Sequence, residues 1–203
     1  MCISVRCMRF LRRRSNMGRL HCLLFGLFLM VPAGRCYCTK NIVVDLSDSC
    51  SYNPLMAMSK QLGWVLSREN CALTIGADVF DIPPVLYFDA TDPDKKYTLF
   101  MVDLDGGSKE GLVFVHWFMA NIPAIALTEG LTYVDGDTIL DYLPPTSGPY
   151  EHRYGLYLFE QIGGNSFPPM PLARDEFDLV DWINLIYPEG ALCGPVGSIG
   201  FNS

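Results

Sequence analysis

An antiparallel all-β sandwich is the fold class that this sequence of 203 residues predicts. Three observations carry it. Six short runs are rich in Val, Leu, Phe, Tyr and Thr: ALTIGADVF (72–80), VLYFDA (85–90), YTLFMVDL (97–104), GLVFVHWFMANI (111–122), TYVDG (132–136) and YGLYLFEQI (154–162). Turn-forming clusters separate them: DIPP, DPDKK, DGGSKEG, DGD and LPPTSGP. Strands do not alternate with long helical patterns, which argues against a parallel βαβ sheet.

The elements follow in chain order. Before the first strand, NPLMAMSKQLGWVLSREN offers Asn53 as an N-cap and Pro54 at the first helical position. Leu55, Met58, Leu62, Val65 and Leu66 recur at helical spacing, so a short amphipathic helix is predicted over 54–67. After the strands, RDEFDLVDWINLIYPEG reads as one helix starting at Asp175. Phe177, Val180, Ile183 and Tyr187 lie on one face, and Pro188 and Gly190 stop it. ALCGPVGSIGFNS closes the chain as a last strand or edge segment.

The N-terminal region has a different composition. Residues 1–44 hold no Asp or Glu, and arginines precede the unbroken apolar run CLLFGLFLMV (22–31). A basic segment, a short apolar segment and the small residues of PAGRC are the pattern of a secretory signal peptide. Ten apolar residues are half of the roughly 20 that a membrane span needs. The expected organisation is a leader over 1–36, cleaved within 33–38, and one domain over 37–203 with no transmembrane segment. The domain is then secreted; a mitochondrial transit peptide is the alternative. Seven of the 15 basic residues and none of the 22 acidic ones precede Tyr37, so the remainder carries 8 against 22, near −14. Such a surface repels nucleic acid and anionic membrane.

Cys38, Cys50, Cys71 and Cys193 lie beyond the leader. In an exported chain they are candidates for two disulfides, with three connectivities open. None shows a zinc-ligand spacing, so neither metal nor cofactor is expected.

Two histidines stand where core strands are predicted: His116 in FVHWF and His152 in EHRYGLYLF. Asp103 and Asp105 end the strand before the Gly-rich loop, and Tyr154 opens the strand after His152. Converging at one end of a sandwich, Asp103, His116, His152 and Tyr154 would offer a carboxylate, two imidazoles and a phenol. That set suits a small anion or acid–base chemistry. The plainer readings are a satisfied core histidine, a turn-capping Asp103, and an Arg153 paired with Asp141 or Glu160. No G-x-S-x-G elbow is present, and no cysteine sits beside either histidine as a nucleophile, so an enzyme is not expected.

PDKKYTLFMVDLDGGSKEG…FVHWFMANIP and DYLPPTSGPYEHRYGLYLFEQ resemble the two signature blocks of the phosphatidylethanolamine-binding protein family. The family's first block runs D-P-D-A-P-S-R into a strand with His and N-I-P. Its second is P-P-x-G-x-G-x-H-R-Y before a strand ending Y-E-Q. The resemblance implies a β-sandwich with a few peripheral short helices. It also implies a small pocket for phosphate or the phosphatidylethanolamine headgroup, lined by Asp103, His116, His152 and Tyr154, with Asp105, Pro144, Pro145 and Arg153 adjacent. Output through an unknown protein partner, by inhibition of a peptidase or a kinase pathway, is implied as well. A degenerate pocket on an interaction protein, or a phosphoester hydrolase, are the alternatives. This chain departs from the pattern in three places. Leu104, Gly106 and Gly107 replace Pro-x-Ala-Pro, which predicts a more flexible loop. Glu151 adds a carboxylate expected at the pocket mouth. After ALCGPVGSIGFNS, the C-terminal helix that can supply an aromatic lid in the family is not expected here.

Overall fold

The computed structural model describes residues 45–89, 91–146, 148–185 and 192–203, all within the unit Cys38–Ser203. The segment expected to be a leader and Cys38 therefore lie outside the described residues. In chain order the strands are β1 (Asn53–Pro54), β2 (Met56–Met58), β3 (Val65–Leu66), β4 (Val85–Tyr87), β5 (Lys96–Asp103), β6 (Leu112–Pro123), β7 (Asp137–Leu140), β8 (Arg153–Gln161), β9 (Phe177–Asp178) and β10 (Leu192–Asn202). Helix α1 is Ala124–Glu129 and α2 is Leu179–Leu185.

The main sheet has the order β1-β10-β8-β5-β6-β7, with β9 on the outer edge of β6. Its long strands β5, β6, β8 and β10 pair antiparallel. A small sheet, β3-β2-β4, covers one face. That face carries Leu99, Met101, Trp117, Met119, Leu156 and Phe201, packed with Ala57 and Leu66 of the small sheet and with Leu55 just before it. The other face carries Phe100, Val102, Phe118 and Phe159, and α2 lays Trp182 across Phe100 and Phe118. Burial on both faces explains why β5 reads as an unbroken apolar run rather than an alternating one. The fold is the mostly β sandwich with short peripheral helices that the sequence predicts.

Several local readings are corrected. The segment 54–67 is not a helix. Leu55, Ala57 and Ser59 are buried in alternation with Met56 and Met58, the two-residue period of a strand. The Leu55 N–H goes to the Ser198 carbonyl, β2 pairs with β3 and β4, and Gly63 turns the chain with φ +65. Leu62, needed for the helical face, is exposed. The predicted strand 72–80 is an isolated bridge at Thr74 followed by a 3-10 turn over Ala77–Phe80. In TYVDG, Asp135 takes the Thr132 N–H and hydroxyl, closing a turn; the strand begins after it, at Asp137. The C-terminal helix starts four residues later than predicted. Phe177 joins β6 as β9, and Asp178, not Asp175, caps the helix by accepting the Asp181 N–H at 2.9 Å. The short helix α1 has no counterpart in the sequence reading.

Cys50 and Cys71 form a disulfide across 21 residues. Cys193 is disulfide-bonded as well.

Candidate functional site

The site is built at one end of β5, β6 and β8. Asp103 is the last residue of β5 and stands between Tyr154 of β8 and Phe114 of β6. Side chains alternate along β5 and β8, so Asp103 shares the face of Leu99 and Met101, and His152 and Tyr154 that of Leu156. His116 reaches this face through a β-bulge. Met101 opposes Trp117 and Val102 opposes Val115, which leaves His116 as the extra residue. The bulge turns His116 and Trp117 to the same side, where strict alternation would separate them. An imidazole inside an apolar strand is thereby delivered to the same sheet end as the other three groups.

Each group is then fixed by a neighbour. His116 is 3% exposed, and its Nδ1 lies 2.9 Å from the Leu143 carbonyl. A carbonyl only accepts, so Nδ1 carries the proton and Nε2 is a lone-pair acceptor while the ring is neutral. Burial holds the His116 pKa below its ordinary value, against the raising effects of the Leu143 carbonyl and the Asp103 charge. His152 is about a third exposed, and its Nδ1 is 2.7 Å from Oδ2 of buried Asp103. Its Nε2 is left in the same way. Tyr154 stacks on Phe201 at 5.0 Å between ring centres and meets His116 edge-on at 5.3 Å. Its hydroxyl meets the Thr146 backbone at 3.4 and 3.5 Å, and burial raises its pKa against the lowering effect of the Thr146 side chain. The arrangement presents two ring nitrogens and a phenol, with one carboxylate orienting a ring.

The remaining predicted residues fall into two groups. Pro144 is exposed and Pro145 buried, in the loop that delivers the Leu143 carbonyl and the Thr146 backbone. Asp105 and Arg153 pair with each other: the guanidinium holds the carboxylate at 2.6 to 3.2 Å, and the Arg153 N–H adds a bond of 2.8 Å. This pair lowers the Asp105 pKa. It corrects the expected pairing of Arg153 with Asp141 or Glu160; Glu160 instead meets Lys95 at 2.9 Å. Arg153 and Asp105 line a groove of about 780 Å³ with Leu104, Lys109, Val113 and Val180, on the face opposite the histidines.

The glycines of the loop are also enclosed. A Cβ on Gly106 would stand 2.7 Å from Phe114 and 3.2 Å from the Asp103 carboxyl, and one on Gly107 would stand 2.3 Å from the Leu112 carbonyl. Close packing rather than looseness requires them. Glu151 is engaged by the Thr74 hydroxyl. The sequence reading missed Arg174, whose guanidinium bonds the Val115 and His116 carbonyls at 3.2 Å and supports the bulge from outside. Its isolation as a cation beside Asp175 and Glu176 was the available signal. Among the described residues, no group of His, Cys, Asp or Glu could hold a metal ion, and no helix is long and apolar enough to cross a membrane.

Comparison with known proteins places this geometry. The family model described as phosphatidylethanolamine-binding protein matches residues 58–185. Protein MOTHER of FT and TFL1 homolog 2 of Oryza sativa subsp. japonica is 32% identical over 134 residues, which cover 63% of this chain and 70% of that protein. Two solved structures share the fold. A carboxypeptidase Y inhibitor complexed with its cognate proteinase aligns with a TM-score of 0.54 at 16% identity, over 74% of this chain and 83% of that one. A phosphatidylethanolamine-binding protein from Plasmodium vivax aligns with a TM-score of 0.53 at 20% identity, over 73% and 84%. The matched span contains every residue of the site, and the chain belongs to the phosphatidylethanolamine-binding protein family.

Proposed function

We propose that this protein binds a small phosphate-bearing group, free or as a lipid headgroup, at Asp103, His116, His152 and Tyr154, and acts through a protein partner. The observation that carries the reading is that three of the four side chains keep uncommitted hydrogen-bonding capacity on one face of the sheet. Each Nδ1 is spent on the scaffold and Nε2 is not, while the phenol is held only by long contacts with Thr146 that a ligand can replace. A phosphate monoanion suits such a set: its O–H donates to a neutral ring and its oxygens accept from Tyr154. When either ring is protonated it becomes a second donor. The acidic surface opposes an anion only weakly there, because salt screens charges beyond about 8–10 Å.

The reading is of binding rather than turnover. Among the four groups none is a hydroxyl or thiol with a base aimed at it. An inhibitory output draws support from the fold neighbour that is a carboxypeptidase Y inhibitor. An extracellular setting draws support from the Cys50–Cys71 disulfide, since such bonds persist in oxidising compartments.

A second reading has its own observation. The two neighbouring cations are both engaged elsewhere, Arg153 on Asp105 across the sheet and Arg174 on the Val115 and His116 carbonyls, so neither is offered to an anion. It is then a structural polar plug on an interaction protein. NMR of the ring signals of His116 and His152 separates the two. Under the binding reading both move on titration with phosphate and with phosphorylethanolamine, and Tyr154→Phe weakens the response. Silence of both rings at millimolar ligand leaves only the plug.

A further inference from the structure

Residues 167–173, FPPMPLA, lie between Ser166 and Arg174 and take no part in the site. They hold the largest concentration of exposed apolar surface among the described residues: Phe167 is 79% exposed, Met170 67% and Leu172 106%. Isolated exposed apolar residues are ordinary, but three within six positions mark a contact surface.

Both ends of the segment are clamped. The Ser166 N–H donates to Asn121 Oδ1 and the Ser166 carbonyl accepts from Asn121 Nδ2, both at 2.7 Å. At the other end the Arg174 carbonyl accepts from the Val115 N–H at 2.8 Å. The anchors are six residues apart on β6, about 20 Å at strand rise. The eight steps from Ser166 to Arg174 reach about 25 Å in a polyproline II helix. The segment therefore has about 5 Å to spare, which the bend at Leu172 takes up, and its extended part is 167–171, where Pro168, Pro169 and Pro171 fix φ.

Burial within it has a period of three. Pro171 is buried and Pro168 half-buried, while Phe167, Met170 and Ala173 on one ridge, and Pro169 and Leu172 on the next, are exposed. Three residues per turn is the repeat of polyproline II. One edge of the ribbon rests on the protein and two apolar ridges face out.

We propose that residues 167–171 are a ready-formed ligand for a polyproline-reading protein, one with an aromatic-lined groove and a basic rim. Pro168, Pro169 and Pro171 have no N–H, so the segment cannot add a strand to a partner's sheet. Aromatic grooves take this conformation because its entropy is already lost before binding. The basic rim follows from Asp175, Glu176 and Asp178, which come just after Arg174; the Arg174 guanidinium is turned onto the Val115 and His116 carbonyls, and Ser108 and the start of α2 hold Glu176 and Asp178 in place. The same carboxylates disfavour an anionic lipid surface as the occupant.

The test uses the purified full chain and three sets of probes. These are purified polyproline-reading domains with basic rims, similar domains with acidic rims, and vesicles of phosphatidylcholine with and without phosphatidylserine. The expected result is binding to basic-rim domains that weakens with salt. Phe167→Ser, Met170→Ser and Leu172→Ser together should then weaken it at least about tenfold. These side chains are exposed, so the urea midpoint of the triple variant should match the parent. The single exposed change Pro169→Ala should weaken binding by a smaller factor. Binding by no domain, equal binding of the triple variant, or binding only to vesicles each overturns the proposal.

Discussion

The two ends of β5 both hold buried polar side chains, and they treat them in opposite ways. At the Lys96 end, Asn121 and Gln161 satisfy each other and everything around them. Gln161 Oε1 accepts from the Thr98 hydroxyl and the Asn121 N–H, and its amide donates to Asn121 Oδ1 and the Gly164 carbonyl. Asn121 Nδ2 donates to Asp137 and to the Ser166 carbonyl, and its Oδ1 also takes the Ser166 N–H. Every donor and acceptor of the two amides is used. At the Asp103 end each imidazole spends one nitrogen on the scaffold and keeps the other, and the Tyr154 hydroxyl has only long contacts. A closed network holds strands together; an open one is available to a ligand. The same sheet carries both because bulges on β6 turn Asn121 and His116 away from simple alternation at its two ends.

The largest expected effect tests the closed end. Gln161 is fully buried, and Gln161→Leu removes four hydrogen bonds while leaving their partners in the core. The loss should be about 3 kcal/mol or more, read as a fall in the urea midpoint. Phosphate-dependent shifts of His116 and His152 should survive in whatever remains folded. A loss under about 1 kcal/mol would show that the closed network is not structural, and the contrast between the ends would fail.

The next effect lies between the ends. Cys50→Ser with Cys71→Ser opens a loop of 21 residues, worth about 3 kcal/mol. The disulfide also places Ala72 to Ile75 against β10, where the Ala72 N–H meets the Gly200 carbonyl and the Ile75 N–H meets that of Asn202. Phe201 between them carries Tyr154. The double variant should therefore lose phosphate affinity as well as stability, as calorimetry would show. A stability loss with unchanged affinity would separate the disulfide from the site.

A smaller effect sharpens the open end. Tyr154→Phe deletes one hydroxyl whose protein contacts are long. Stability should change by under about 1 kcal/mol, while phosphate affinity falls about tenfold, the usual worth of a hydrogen bond to a charged group. Equal effects on both would return Tyr154 to the core.

The sequence shows the strands of the closed and open ends far better than it shows what distinguishes them. β5, β6 and β8 are long apolar runs, and their identity does not depend on neighbours. Residues 54–67 read as a helix because Leu55, Met58 and Leu62 fit a helical face, while Leu55, Ala57 and Ser59 equally fit a strand. The choice was made by β10, which supplies the Ser198 carbonyl to Leu55. The four site residues are visible as chemistry, but the face of His116 is set by the pairing of two strands, not by its own neighbours. The Leu143 carbonyl, which fixes its tautomer, is backbone and leaves no side-chain signature. Asn121 and Gln161 sit in the quoted blocks at strand ends, where a polar residue looks like a terminus rather than a core network.

The smallest effect is a pH dependence, and its sign discriminates between the two readings of the open end. His116 is held neutral in the folded state by burial, with its pKa below the ordinary value of about 6.5. As pH falls from about 6.5 toward that lowered value, the unfolded chain takes up a proton that the folded chain does not. Stability is therefore greatest above this window and declines through it. An anion acts in the opposite direction: it favours the imidazolium, raises the His116 pKa in the complex, and returns part of the loss. Sulfate is the useful probe, because it does not itself titrate across this range. Melting temperatures with and without sulfate should diverge as pH drops, by an amount equivalent to no more than about 1 kcal/mol. The divergence should shrink in His116→Gln, which removes the titrating ring and leaves His152 as the internal control. A sulfate effect that is constant with pH, or the same in the variant, would mean that His116 is a buried strut, and that any anion is held by His152 and Tyr154 alone.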